Sequence, residues 1–440
     1  MKRLIKLALV VSCLLQPCAS RSQVPTDSLE QRAALRNCVE YALSHQPAIR
    51  QSQLDEEITD HAISGKMAEW FPQLSFNAYF QHNPQLPVSI VQGNIAKVGL
   101  ANASNGQLSL TQTIFDRDVL LASSTAADER NRARQTTVRN TITVVIAVSK
   151  AYYAALVTQR QIGILDEDIV RLERSLKDTF TQYQGGIVDK TDYKRATISL
   201  NNARAERRQA QELLKTRYAS LKEQMGYPSH ADLVLESDST QLEQDAFIDT
   251  MQTVSVESRV EYQLLQTQKR LQEDNLHYAR WSFLPSLTAF GNYNLNYQSS
   301  ELSHLYQRNY PNSNVGLQLS FPIFQSGKRL QEIKQAQLEL ERVKYDVIAL
   351  RSSVNTEYTQ ALANYRSNLN NYHVLQENLD LARDVYQTIQ LQYKAGVKTY
   401  LELIAAETDL RSAQDNHIDA LYQVLSSKLD VQKALGTVHY

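Results

Sequence analysis

The chain has 440 residues with 46 basic and 47 acidic side chains, a balance that argues against a general nucleic-acid binder. Hydrophobic residues make up 42% and the mean hydropathy is -0.41, which excludes a bundle of transmembrane helices at about 20 apolar residues each but leaves a β-barrel open. Glycine (13) and proline (10) are scarce for this length, so long uninterrupted elements are expected.

Residues 1–22 have a basic start (Lys2, Arg3, Lys6) followed by a short apolar core, Leu7–Leu15. This pattern predicts an export signal peptide and an extracytoplasmic, net acidic mature chain. Three cysteines, Cys13, Cys18 and Cys38, exclude a disulfide framework. Cys18 raises lipidation as a minor option, on a poor lipobox. A helical arm is expected over about 35–70. Alternating Leu74, Phe76, Ala78 and Phe80 then predict a strand over 72–82. A polar loop follows at 83–105, and a second strand at 106–115. From Asp116 to Tyr183 there is no proline and one glycine, Gly163. A helix over 116–183 would be about 100 Å long at 1.5 Å per residue. A tip at 184–192 leads into a return helix that runs to Met225. Residues 227–253 read as an equatorial segment beside the helical body, with 23–34 near it. A helical arm at 255–281 precedes strands at 284–297 and 313–323. A second long helix follows at 325–393, then a tip at 394–402 and a return helix ending at Leu435.

The chain is written twice. Pro72 aligns with Pro285, Phe115 with Phe324, Gly186 with Gly396 and Gly226 with Gly436, at offsets of 213, 209, 210 and 210. This divides the chain into a first structural repeat, 23–226, and a second, 254–440. The period is too long for a solenoid unit and reports a duplicated half. The alternating strands fit a membrane barrel or a soluble β-subdomain. Trp70, Phe71, Trp281, Phe283, Phe321 and Phe324 fit a membrane–water boundary or a core junction. If the four strands lie in lipid, their edges must be paired, so the barrel must close by association. Three copies would supply twelve strands.

With the duplicated halves, the junction W-x-x-x-P-x-L (Trp281–Leu287, with a shorter variant from Trp70), the helix entry LSFPIF-x-x-GKR (Leu319–Arg329) and the tip motif YKAGVKTYLELIAAETDL (Tyr393–Leu410), the chain resembles the TolC family of outer-membrane efflux proteins. The resemblance covers essentially the whole mature chain. It implies a mostly α fold with a transmembrane β-barrel: long helical hairpins form a trimeric periplasmic α-barrel, capped by a 12-stranded β-barrel with four strands per protomer. It also implies an exit duct for tripartite efflux or type I secretion, with a homotrimer, a periplasmic adaptor at the helix tips, an inner-membrane transporter and outer-membrane lipid as partners. No catalysis, cofactor, metal or nucleic acid is implied. By the same resemblance, Thr191, Asp192, Tyr393, Lys398 and Glu402 are gate or constriction residues, with Asp192 paired to Tyr393 and Thr191 to Lys398. Lysine stands at 398 where the family often has arginine, which loses a planar bidentate fork. Glu402 would form an acidic ring, thinned because Ala405 replaces its second acid. Gly186 and Gly396 read as tip turns.

The nine histidines lack metal-ligand spacing, and the lone Gly327-Lys328 is no phosphate loop. The alternative to a duct is a structural or adhesive membrane-anchored protein with a long helical stalk.

Overall fold

The computed structural model describes residues 33–91, 94–236, 243 and 245–438. The expected signal peptide, Cys13 and Cys18 lie outside them. In chain order the elements are α1 (Leu35–His45), α2 (Pro47–Ala68), β1 (Gln73–His82), β2 (Val88–Val91), β3 (Asn94–Lys97), β4 (Asn102–Phe115), α3 (Arg117–Gln184), α4 (Lys190–Met225), α5 (Val260–Trp281), β5 (Ser286–Ser299), β6 (Asn312–Ser320), α6 (Lys328–Lys394) and α7 (Tyr400–Leu435).

The duplication is visible in element lengths. The long helices α3 and α6 have 68 and 67 residues, the return helices α4 and α7 have 36 each, and the arms α2 and α5 have 22 each. Both return helices end at a left-handed glycine, Gly226 (φ 68°) and Gly436 (φ 73°). In each, the next residue's N–H reaches back five residues, from Tyr227 to Lys222 and from Thr437 to Gln432. This closes the last turn and satisfies carbonyls that would otherwise be orphaned.

The main sheet is antiparallel in the order β1-β4-β5-β6. Its register gathers leucines on one face and asparagines, with Tyr79 and Phe290, on the other. Leu74, Phe76, Leu108, Leu110, Leu317 and Leu319 share one face, and Asn77, Asn105, Asn292, Asn296 and Asn314 share the other. The apolar face is open: Leu74, Phe76, Leu317 and Leu319 are each more than 60% exposed. Phe76 lies over Gly106, where a Cβ would come within 3.3 Å of the ring. At the helical end of the sheet Phe71, Phe283, Phe321 and Phe324 are exposed, as a membrane–water boundary requires. Trp70 and Trp281 are half-buried.

Several expected boundaries move, each for a local reason. The loop expected at 83–105 contains the β2–β3 hairpin, and β4 begins at Asn102 rather than 106. Residues 102–105 are polar or small on both faces, so alternation does not show there. They are held by pairing with β1 and β5, and Asn102 donates to the carbonyls of Ser299 and Ser300. The last strand stops at Ser320, before Pro322. The second long helix starts at Lys328 because Ser326 (φ 48°) and Gly327 (φ 80°) are left-handed. The first arm is two helices. Pro47 starts α2, and Gln46 between them donates from Nε2 to the carbonyls of Glu223 and Gln224.

The packing is uneven around the protomer. Helix α5 lies against both α3 and α6, and α7 lies against both α6 and α3. Their counterparts α2 and α4 pack chiefly on α3. Helix α6 carries a buried stripe in heptad steps broken by one four-residue step (Val354, Ala361, Tyr365, Tyr372, Leu379, Tyr386). Two exposed apolar pairs, Leu338 with Tyr345 and Val374 with Leu381, stand elsewhere on its surface. The main core is equatorial. The apolar stretch of α3 from Val144 to Leu156 packs there on α1, α6, α7 and the segment around Tyr227–Leu235. Ala33 pairs with Leu235 as a parallel bridge. Cys38 is fully buried in this core, and burial pushes its thiol up to about 12.

Gly226 and Gly436 differ in surroundings. A Cβ on Gly226 would lie 2.7 Å from the His45 carbonyl oxygen, whereas one on Gly436 would first meet the Arg259 side chain at 3.4 Å. Gly226→Ala is expected to cost about 1–3 kcal/mol and Gly436→Ala less, since both carry the left-handed penalty but only the first adds a backbone clash. Thermal melts of the purified variants check the order.

Candidate functional site: the two helix tips

The two helical hairpins end in turns built alike. Gly186 (φ 72°) and Gly396 (φ 75°) take the left-handed position, and nothing lies within 4 Å of where a Cβ would stand. Gly186 N–H donates to Tyr183 O and Ile187 N–H to Gln182 O. Gly396 N–H donates to Tyr393 O and Val397 N–H to Gln392 O. The glycines therefore serve conformation.

The turns differ in how the return helix starts. In the first, the Asp189 carboxylate accepts from Thr191 N–H at 3.2 Å. In the second, Thr399 and Glu402 form a reciprocal capping box. The Glu402 carboxylate accepts from Thr399 N–H and Oγ1, both at 2.9 Å, and Thr399 Oγ1 accepts from Glu402 N–H. Lys398 Nζ donates to Glu402 Oε1 at 2.6 Å. The Lys398 ammonium, then the Thr399 backbone and hydroxyl, hold the Glu402 carboxyl down at about 2. Within the protomer Glu402 is thus a paired helix cap, bonded to Lys398 and Thr399.

Neither expected gate pair is joined by a hydrogen bond or ion pair within the described protomer. Tyr393 OH donates to Gln182 Oε1 at 3.0 Å, tying α6 to α3. Burial, with the nearby Asp192 and Asp178 carboxylates, raises the Tyr393 phenol. Asp192 is therefore within electrostatic reach of Tyr393, but it is not bonded to it. Lys398 engages Glu402 and not Thr191, whose side chain is exposed. The Tyr393 ring stands 5.8 Å from that of Tyr400, which is buried, and burial lifts its phenol to about 12. Tyr400 OH lies 3.2 Å from Ser175 Oγ on α3. Two crosslinks between the halves, Tyr393–Gln182 and Tyr400–Ser175, thus stand at one end of the helices.

Sequence reasoning missed three participants. Gln182 sits 211 residues from Tyr393 and carries no motif. Thr399 was legible, since T-x-x-E is the capping-box pattern. Glu407 is 9% exposed and lines a cleft of about 510 Å³ with Arg171, Arg174, Tyr386, Tyr393 and Lys394. Burial raises its carboxyl, against the opposing pull of Arg171 and then Arg411.

That raised value sets a sign. The folded chain keeps the Glu407 proton to a higher pH than the unfolded chain. Its contribution to stability is therefore full at low pH and is lost as pH rises through the folded value. Glu407→Gln removes this loss. Its melting temperature is expected to exceed that of the parent at neutral pH, and the gap to close near pH 4. A gap that widens on acidification would contradict the assignment.

Comparison with known proteins gives a consistent result. The family described as outer membrane efflux protein matches residues 38–227 and 256–437, one match for each half. The chain is 23% identical over 430 residues to outer membrane protein TolC of Escherichia coli, covering 94% of this chain and 84% of that one. It is 25% identical over 336 residues to alkaline protease secretion protein AprF of Pseudomonas aeruginosa, covering 73% and 67%. Among solved structures, CusC superposes with a TM-score of 0.74 at 17% identity, over 93% of this chain and 95% of that one. The open state of the MtrE outer membrane channel of Neisseria gonorrhoeae gives 0.69 at 18% identity, over 91% and 88%.

Proposed function

The chain belongs to the outer membrane efflux protein family, and from that premise we propose that three copies close into a single duct gated at the helix tips. The protein is an exit duct of the outer membrane, extends into the periplasm, and is a passive channel rather than an enzyme.

The observation that carries the closure is the uneven packing. Within one protomer α5 and α7 each lie between two long helices, while α2 and α4 lie against one. The duplication makes these positions equivalent, so a long helix is missing beside α2 and α4. The exposed apolar pairs of α6, Leu338 with Tyr345 and Val374 with Leu381, belong to the surface that a neighbouring protomer's α2 and α4 would cover. The sheet has the same incompleteness, because β1 and β6 are its two edges. One cyclic operation that joins β6 to the next β1 and α6 to the next α2 and α4 meets both needs. Three protomers give twelve strands.

The gate consists of the two tips of each protomer, held together by Tyr393 on Gln182 and stiffened by Lys398 on Glu402. Asp192 and Thr191 form no bond with Tyr393 or Lys398 within a protomer and are available across the three-fold contact. The partners are a periplasmic adaptor seated on the tips and an inner-membrane transporter that supplies cargo and energy. The curated relatives include both efflux and secretion proteins, and the duct wall itself imposes little choice between them.

Planar-bilayer recordings test the proposal. Purified protein is expected to be a trimer with discrete, low basal conductance. Tyr393→Phe keeps the ring packing but removes one hydrogen bond of about 1 kcal/mol per protomer, so with three acting together open probability should rise about tenfold or more. Asp192→Ala should act in the same direction. An intact trimer that passes no current in any variant would leave the stalk reading instead.

A further inference from the structure

The inner face of the barrel is a second functional surface, and it was not among the sequence-predicted sites. The chain is 21% Asp, Glu, Lys and Arg, yet β1, β4, β5 and β6 contain none of these residues on either face. Their one basic ring, His82, lies on the apolar side of the register, bonded through Nδ1 to Asn102 Oδ1 at 2.7 Å. On the lipid side the absence of charge is compulsory, since Lys or Arg at the bilayer midplane costs about 2–4 kcal/mol. On the inner side no such constraint operates, and rings of charged side chains are a common way to select ions. Here the inner side carries amides that bond across strands. Asn105 Nδ2 donates to Asn296 Oδ1 at 2.6 Å, Asn294 Nδ2 to Asn312 Oδ1 at 2.7 Å, and Asn296 Nδ2 to the Tyr310 carbonyl at 3.2 Å. Each amide spends part of its capacity on a neighbour, which fixes its orientation, and keeps a donor or acceptor for water or solute.

We propose that the barrel is a charge-neutral, hydrogen-bonding collar that passes hydrophilic cations, anions and zwitterions alike, so that this segment exerts no selection by charge sign. The inference rests on the trimeric duct reading, which decides that the amide face is the inner one. Selection by charge sign then falls to the helical part of the duct and to the connections that carry Lys97, Glu301 and Arg308. The collar acts on cargo through neutral hydrogen bonds, which every polar solute can make.

Thiol labelling from the extracellular side tests this with the periplasmic gate left shut. Asn105→Cys and Asn294→Cys, in the reconstituted full-length protein, are treated with a cationic and an anionic methanethiosulfonate, and rates are normalised to a small free thiol. A local potential of one kT would separate the two reagents by about sevenfold, so a neutral collar should give normalised rates within about threefold of each other. A preference of about tenfold or more for either sign at both positions would overturn the proposal. Val315→Cys, on the opposite face, should stay unlabelled while the protein still conducts. Labelling of Val315→Cys but neither asparagine position would overturn the face assignment and the duct reading with it. Labelling of the asparagine positions with a strong sign preference would overturn the neutral collar alone.

Discussion

The structure depends on one demand: a backbone amide or carbonyl in hydrocarbon must have a partner. The sheet has an outer row of such groups on β1 and another on β6. No rearrangement within four strands can pair both, because closing four strands on themselves leaves no room for side chains inside. The chain meets the demand only through copies of itself. The helical part shows the same deficit in apolar area, with α6 uncovered on one side and α2 and α4 lacking a second long neighbour. Two kinds of incompleteness, one polar and one apolar, therefore ask for the same neighbour.

The duplication explains why the deficits match. A half-chain repeat already contains one contact between its halves, in which α5 and α7 bridge α3 and α6. On the closure proposed above, the contact between protomers repeats that contact with the covalent link removed. Selection on one packing surface therefore serves both, and the seam within a protomer shows what the seam between protomers should look like. Where the halves differ, as with Asp189 and Thr399 at the two caps, the ring alternates rather than repeating uniformly.

Much of this was legible in the sequence because its signals are local or repeated. The long stretch without helix breakers from Asp116 gave α3, and Gly186 and Gly396 marked the two turns. Leu74–Phe80 gave the apolar face of β1. What was not legible depended on distant pairing. Residues 102–105 show no alternation and become strand only because β1 and β5 flank them. Glycine was read at 327, but not the left-handed turn that delays α6 by three residues. Asp192 and Lys398 were matched by family pattern, and that pattern does not say which contacts belong to one chain. Tyr393 found Gln182, a residue with no signature at all, and Glu402 was taken up by its own helix cap.

The length of α3 has a mechanical meaning. The helix is held in the equatorial core up to about Leu156 and then runs some 28 residues, or about 40 Å, to the tip, packed through Ile164 on α7 and Leu172 on α4 so that the hairpins move together. It is a lever with its fulcrum at the equator. A rotation there of about 3° carries the far end about 2 Å, enough to take the Tyr393–Gln182 bond from 3.0 Å beyond hydrogen-bonding range. Opening of the proposed gate would therefore need no melting of helix and no large local force at the tip. On the gate proposed above, a small torque applied to the middle of the stalk is geometrically equivalent to a direct pull on the Tyr393–Gln182 bond.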